Sequence, residues 1–125
     1  MIKGIHHVAL KCCGNEEYEK VVGFYRDVLG LEVLRSWSEG MMLTTGAGII
    51  EIFNNGDDHP SQGAIRHFAF CTDNVDEVAE AVRTAGYEVF IEPKDIRIQS
   101  DPVFPARIAF CRGPLGEEIE LFQEK

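Results

Sequence analysis

"IHHVAL" spans residues 5–10 and "IRHFAF" spans residues 65–70. Each alternates apolar and polar positions as a half-buried strand does. Each carries a histidine at its third place, His7 in the first and His67 in the second. The likeness continues outward from both. "DVLGLEVL" at 27–34 answers "RTAGYEVF" at 83–90, and "IIEIF" at 49–53 answers "EIELF" at 118–122. The chain therefore reads as two copies of one unit, too few for a solenoid.

The first copy opens with a strand over 4–11. "NEEYEKVVGFYRDVLG" (15–30) predicts a helix, with Asn15 as N-cap and Glu16 and Glu17 in the first turn, where carboxylates suit the helix dipole. Tyr18, Val21, Val22, Tyr25, Val28 and Leu29 make its apolar face, and Gly30 is placed to stop it. "LEVLRSW" and "MMLTTG" read as strands split by the turn signal Glu39-Gly40. "GIIEIF" is a further strand, closed by "NNGDD".

The second copy repeats this order. "IRHFAFCT" predicts a strand. "DNVDEVAEAVRTAG" predicts a helix with Asn74 and Glu77 at capping-box spacing, a core face of Val75, Val78, Ala79 and Val82, and Gly86 as its end. "YEVFIEP", "ARIAFCR" and "EEIELFQ" predict three strands. The stretch 93–106, "PKDIRIQSDPVFPA", has three prolines and predicts a loop able to cover a site. The fold class expected is α+β. Two βαβββ modules, at about 4–54 and 65–123 of a single domain over 1–125, supply about eight strands to a curved mixed sheet around a cleft.

A length of 125 residues fits one domain with a real core. Twelve basic against 21 acidic residues give a net charge of −9. That balance speaks against nucleic acid or an anionic membrane surface as partner, since both need clustered positive charge. No apolar run reaches the roughly 18 residues of a membrane span. Met1 leads directly into a strand-like run, with no signal peptide. The expectation is a cytoplasmic protein whose Cys12, Cys13, Cys71 and Cys111 are free thiols, each a small buried hydrophobe.

Aligning the copies pairs His7 with His67 and Glu51 with Glu120, at separations of 44 and 53 residues. His6 is matched by Arg66 and, by strand alternation, turns to the opposite face from His7. Each glutamate interrupts an otherwise apolar strand, and an unpaired buried carboxylate is costly. Taken singly, each histidine also reads as a satisfied strand residue, and each glutamate as a residue on a solvated strand face. Taken together under one repeat, two imidazoles and two carboxylates suit a divalent first-row metal such as Ni, Zn, Co, Mn or Fe.

The pattern "HHVALK…FYRDVLGLEVL…IIEIF…RHFAFCTDNVDEVAEAVRTAGYEV…GPLGEEIELFQ" resembles the vicinal oxygen chelate superfamily over nearly the whole chain. The order His7, Glu51, His67, Glu120 resembles short bacterial glyoxalase I. This resemblance implies a metal, Ni or Zn foremost, held by those four residues. It implies a lyase or isomerase acting on the hemithioacetal of a 2-oxoaldehyde with glutathione or another thiol. Glu120 would be the catalytic base and Glu51 its counterpart. Lys11 and Asn55 stand where the family holds its substrate, and a homodimer is expected. The family's glycine-rich loop with a binding lysine is absent, which makes Arg97 or Arg107 the candidate for that positive charge. The alternatives are a small-molecule binding protein of the same fold, or an epimerase resembling methylmalonyl-CoA epimerase, whose members usually carry Gln where this chain has Glu51.

Overall fold

A computed structural model describes residues 1, 3–57 and 64–125. The chain divides into two compact units, Met1–Ser61 and Gln62–Lys125. The last residue of the turn-forming "NNGDD" (54–58) lies outside the described residues.

In the first unit the order is β1 (His7–Lys11), α1 (Asn15–Gly23), β2 (Glu32–Trp37), β3 (Gly40–Thr44) and β4 (Ile49–Phe53). The strands form one sheet in the order β1-β4-β3-β2, with β1 and β4 parallel and the other pairs antiparallel. In the second unit β5 (Phe68–Cys71), α2 (Val75–Thr84), β6 (Val89–Ile98), β7 (Phe104–Arg112) and β8 (Glu118–Glu124) repeat the plan. Their sheet runs β5-β8-β7-β6, and β5 and β8 are its parallel pair. The eight strands thus hydrogen-bond as two mixed sheets of four, one per βαβββ unit, in an α+β architecture.

Each core lies between a helix and one face of its sheet. Tyr18, Val21 and Val22 of α1 are buried, as are Leu43, Ile50 and Ile52 of the sheet. Val75, Ala79 and Val82 of α2 are buried with Ala109, Cys111, Ile119 and Leu121. Asn74 caps α2 as its spacing predicts: its side chain accepts a hydrogen bond from the Glu77 N–H at 3.1 Å.

Helix α1 departs from the expectation at both ends. Its cap is Gly14 at φ 88, not Asn15, and Asn15 is the first helical residue. The Glu17 carboxylate reaches back to the Cys13 N–H at 2.8 Å, so an amide just ahead of the cap is met from inside the helix. After Gly23 the chain widens into a π-helical turn, Phe24–Val28, in which the Leu29 N–H donates to the Phe24 carbonyl at 3.1 Å. The wider turn lets adjacent Phe24 and Tyr25 both enter the core, edge to face with ring centroids 5.1 Å apart. A strict helical period leaves Phe24 off the apolar face, which is why the sequence pattern missed it. Gly30, at φ 78, ends the segment.

The stretch 93–106 is not a loop. Strand β6 continues to Ile98 and β7 starts at Phe104, so only residues 99–103 connect them. Proline is tolerated here for a positional reason. Strand β6 is the sheet edge, and Pro93 sits where the register slips by one residue between Ile91 and Lys94. Pro105 stands at the start of β7, opposite Arg97 of the edge strand.

The turn between β2 and β3 is Ser38–Glu39, and Gly40 already belongs to β3. Glycine is needed there for close approach. A Cβ on Gly40 would stand 2.7 Å from the Ile52 carbonyl oxygen and 3.0 Å from the Trp37 ring. Gly40→Ala should therefore destabilise the protein by about 1–3 kcal/mol, the usual cost of overpacking. A lowered urea midpoint at unchanged slope is the expected result.

Candidate metal centre

The parallel ladder of each unit sets the geometry. In unit one His7 pairs with Ile49 and Ala9 with Glu51, so His7 is the diagonal neighbour of Glu51 on one sheet face. His7 Nε2 lies 3.3 Å from Glu51 Oε1. In unit two Ala69 pairs with Glu120, and His67, one residue ahead of β5, reaches the same diagonal. His67 Nε2 lies 3.0 Å from Glu120 Oε2. Both histidines thus turn the same ring nitrogen to the matching glutamate.

Both pairs lie on the face opposite the helix, because the alternate residues Ile50 and Ile52, and Ile119 and Leu121, fill the cores. Glu51 is 8% exposed, the one buried charged or polar residue among those described. It is flanked across the antiparallel ladder by Met42. Glu120 has Phe110 at the equivalent place. The Phe110 ring also meets His67 edge to face, with centroids 5.1 Å apart. The sequence reading passed over Met42 and Phe110, although the repeat places each opposite a glutamate.

The surroundings of the two histidines differ. His7 Nδ1 lies 3.0 Å from His6 Nδ1, so the two adjacent rings are joined rather than turned apart. His67 Nδ1 is buried and has no hydrogen-bond partner. Phe110 stacks at a tilt on Phe90, over which the Arg112 guanidinium sits at 4.3 Å.

The two imidazoles and two carboxylates stand as two His–Glu pairs. Among the described residues no group of three or more His, Cys, Asp or Glu side chains is placed to hold a metal ion. The donor chemistry of the pairs fits a divalent metal: an imidazole nitrogen and a carboxylate oxygen face each other, each able to give a lone pair. Cysteine does not compete. None of the four is in a disulfide; Cys12 and Cys111 are buried, Cys13 is half-buried, and only Cys71 is exposed. The expectation of four buried cysteines therefore holds for two. Burial, with Glu117 nearby, pushes the Cys111 thiol up to about 11, so it stays protonated at neutral pH.

Lys11 ends β1 on the face that carries His7, and its stem passes close to Gly56. The Asn55 side-chain amide donates to Glu39 Oε2 at 2.8 Å, while Asn54 donates to the Ser38 carbonyl at 2.9 Å. Asn55 thus helps tie the β2–β3 turn to the chain beyond β4. Arg97 is exposed on the edge strand. Arg107 is committed elsewhere: it grips Asp76 through two hydrogen bonds at 2.6 and 2.8 Å and reaches Asp95 at 3.2 Å. Its charge pins the first turn of α2 to β7 and does not replace a substrate lysine.

The sequence profile of the Glyoxalase/Bleomycin resistance protein/Dioxygenase superfamily matches residues 4–121. The chain belongs to this superfamily. A glyoxalase family protein from Enterococcus faecalis is 27% identical, with a TM-score of 0.71 over 96% of this chain and 97% of that one. A lactoylglutathione lyase from Agrobacterium tumefaciens is 21% identical, with a TM-score of 0.65 over 98% and 95%. A glyoxalase/bleomycin resistance protein/dioxygenase from Alicyclobacillus acidocaldarius is 14% identical, with a TM-score of 0.69 over 97% and 91%. No curated protein matches. Membership of the superfamily settles the fold, and its name already spans more than one chemistry. Among the described residues no helix is long and apolar enough to cross a membrane.

The Arg107 clamp makes a prediction about acid stability. Hydrogen bonds from Arg107 hold the Asp76 carboxyl below the usual carboxylate range. A depressed carboxylate stabilises the fold fully above its unfolded value, about 3.9, and loses that contribution as pH falls through the folded value. Asp76→Asn should be less stable than the parent at pH 7. The gap should close as pH drops below about 3.9. Denaturant midpoints across this range measure it.

Proposed function

We propose that the protein is a metal-dependent isomerase or lyase of the glyoxalase I type. His7, Glu51, His67 and Glu120 would hold one divalent transition metal, Ni or Zn foremost, with Co, Mn and Fe as the other candidates. The observation that carries this reading is the repeated pair, an imidazole Nε2 facing a carboxylate oxygen at 3.3 Å and 3.0 Å in the two units. Superfamily membership supports it.

Such a metal, when bound, would supply Lewis acidity beside the substrate carbonyl. The chain's own part is proton transfer. Glu120 takes the proton from the carbon beside the carbonyl and returns it to the neighbouring carbon. Glu51 would be its counterpart for the opposite substrate face. His7 and His67 hold and orient. The apolar flanks Met42 and Phe110 keep water from the carboxylates, which strengthens their electrostatic interactions. The substrate class is a 2-oxoaldehyde adduct of glutathione or another thiol. Lys11 would meet its anionic end and Asn55 would hydrogen-bond it. A binding protein that does not turn its ligand over is the second reading, favoured by the absence of a three-donor cluster among the described residues. An epimerase resembling methylmalonyl-CoA epimerase is a further one.

The test joins metal and turnover. A divalent metal at a hundredfold excess over its dissociation constant should stabilise the fold by about 2.7 kcal/mol, read as a rise in melting temperature. Methylglyoxal with glutathione should then be converted, followed by ultraviolet absorbance. Glu120→Gln should keep its metal and lose turnover by about 10²–10⁴-fold, since Gln can coordinate but cannot take the proton. Full turnover by that variant at full metal occupancy would pass the base role to Glu51. Metal uptake without turnover of any thiol adduct would favour the binding reading.

The assembly proposed is a homodimer, since closed two-fold pairs are the commonest oligomers. Light scattering should give twice the 14.0 kDa chain mass. A single chain mass at micromolar concentration would refute it.

A further inference from the structure

His6 lies outside the repeat-matched set, since its counterpart in the second copy is Arg66. His6 stands one residue ahead of β1, so strand alternation does not turn it away from His7. The two rings meet through their Nδ1 atoms at 3.0 Å and stand perpendicular at a centroid distance of 5.3 Å. One of these nitrogens must donate and the other accept. An uncharged imidazole carries one N–H, on either nitrogen, so the direction of this bond is tied to what His7 does at Nε2.

The two directions correspond to two states of His7. In one, Nε2 carries the hydrogen and faces Glu51 Oε1, 3.3 Å away. Nδ1 of His7 is then a lone pair and accepts from the Nδ1–H of His6. In the other, Nε2 offers its lone pair as a ligand and the hydrogen sits on Nδ1. It then donates to His6, whose own hydrogen must move to its Nε2, where an exposed ring can share it with water. A carboxylate could only accept here, and an ammonium could only donate. Imidazole can do either by changing tautomer.

We infer that His6 is a positioning residue for His7, keeping the His7 ring hydrogen-bonded both when it faces Glu51 and when it serves as a metal ligand. This inference rests on the metal reading proposed above and adds the outer partner that His7 needs. The second unit lacks the device. His67 Nδ1 has no partner, and the Phe110 ring holds that imidazole by its edge instead. The two repeat-related histidines are therefore not equivalent.

The experiment uses the full chain labelled with 15N at histidine, with two-bond proton–nitrogen correlations reading each tautomer, and Zn²⁺ alone as probe. Without metal, His7 should carry its hydrogen on Nε2 and His6 on Nδ1. On adding Zn²⁺ both should switch, His7 to Nδ1–H and His6 to Nε2–H, at one metal concentration. His6→Ala should weaken Zn²⁺ binding by about 10–100-fold, the usual effect of losing an outer partner. His6→Asn should restore most of it, because the short amide puts an oxygen and an N–H near the place of Nδ1. His6→Gln, whose amide lies one bond further out, should not. Zinc bound with the His6 tautomer unmoved, or bound equally by His6→Ala, overturns this inference alone. A wild-type chain that takes up no Zn²⁺ overturns it together with the metal reading.

Discussion

A carboxylate almost closed off from water, inside a strand whose other residues are isoleucine and phenylalanine, constrains everything around it. Glu51 cannot occupy that place unpaired, since burying a lone charge is among the costliest changes a fold can make. Its partner is His7, reached across the parallel β1–β4 ladder. The parallel pairing is essential. It places a residue near the N-terminal end of one strand diagonally beside the centre of the other, on the same face. Strand, helix and three strands must therefore be traversed before the chain returns beside its own start, and the βαβββ unit provides that path.

The second unit meets the same need by different packing. Glu120 is somewhat less enclosed, and His67 stands just outside its strand. Phe110 covers both, and a chain of contacts runs from Phe110 to Phe90 and on to Arg112. In the first unit Met42 takes the flanking place and a second histidine takes the outer one. The repeat thus preserves the donors and varies their supports.

The charged residues follow a similar division. Arg107 lies on β7, and its guanidinium is bound on two sides by Asp76 and Asp95. A bidentate arginine clamp orients a helix start well and leaves little for a ligand. Lys11 ends β1 on the face of His7.

Much of this was legible in the residues alone. Alternating strands, Asn74 with Glu77, and the paired "IIEIF" and "EIELF" pointed to the element order and to the two His–Glu pairs, because periodicity and capping are local effects. The length of β6 was not legible. Pro93 reads as a strand breaker unless the strand is known to lie at an edge with a bulge, and edge position belongs to the whole sheet. The place of Phe24 was hidden for a similar reason, since a π-helical turn is fixed by what the core accepts and not by the helical period. Gly40 looked like a turn residue and proved to be a point of close backbone approach. Sequence determined which side chains could give electrons to a metal. Only the tertiary structure decided their supports, His6 behind His7 and Phe110 against His67, because those contacts depend on ring positions that no spacing rule contains.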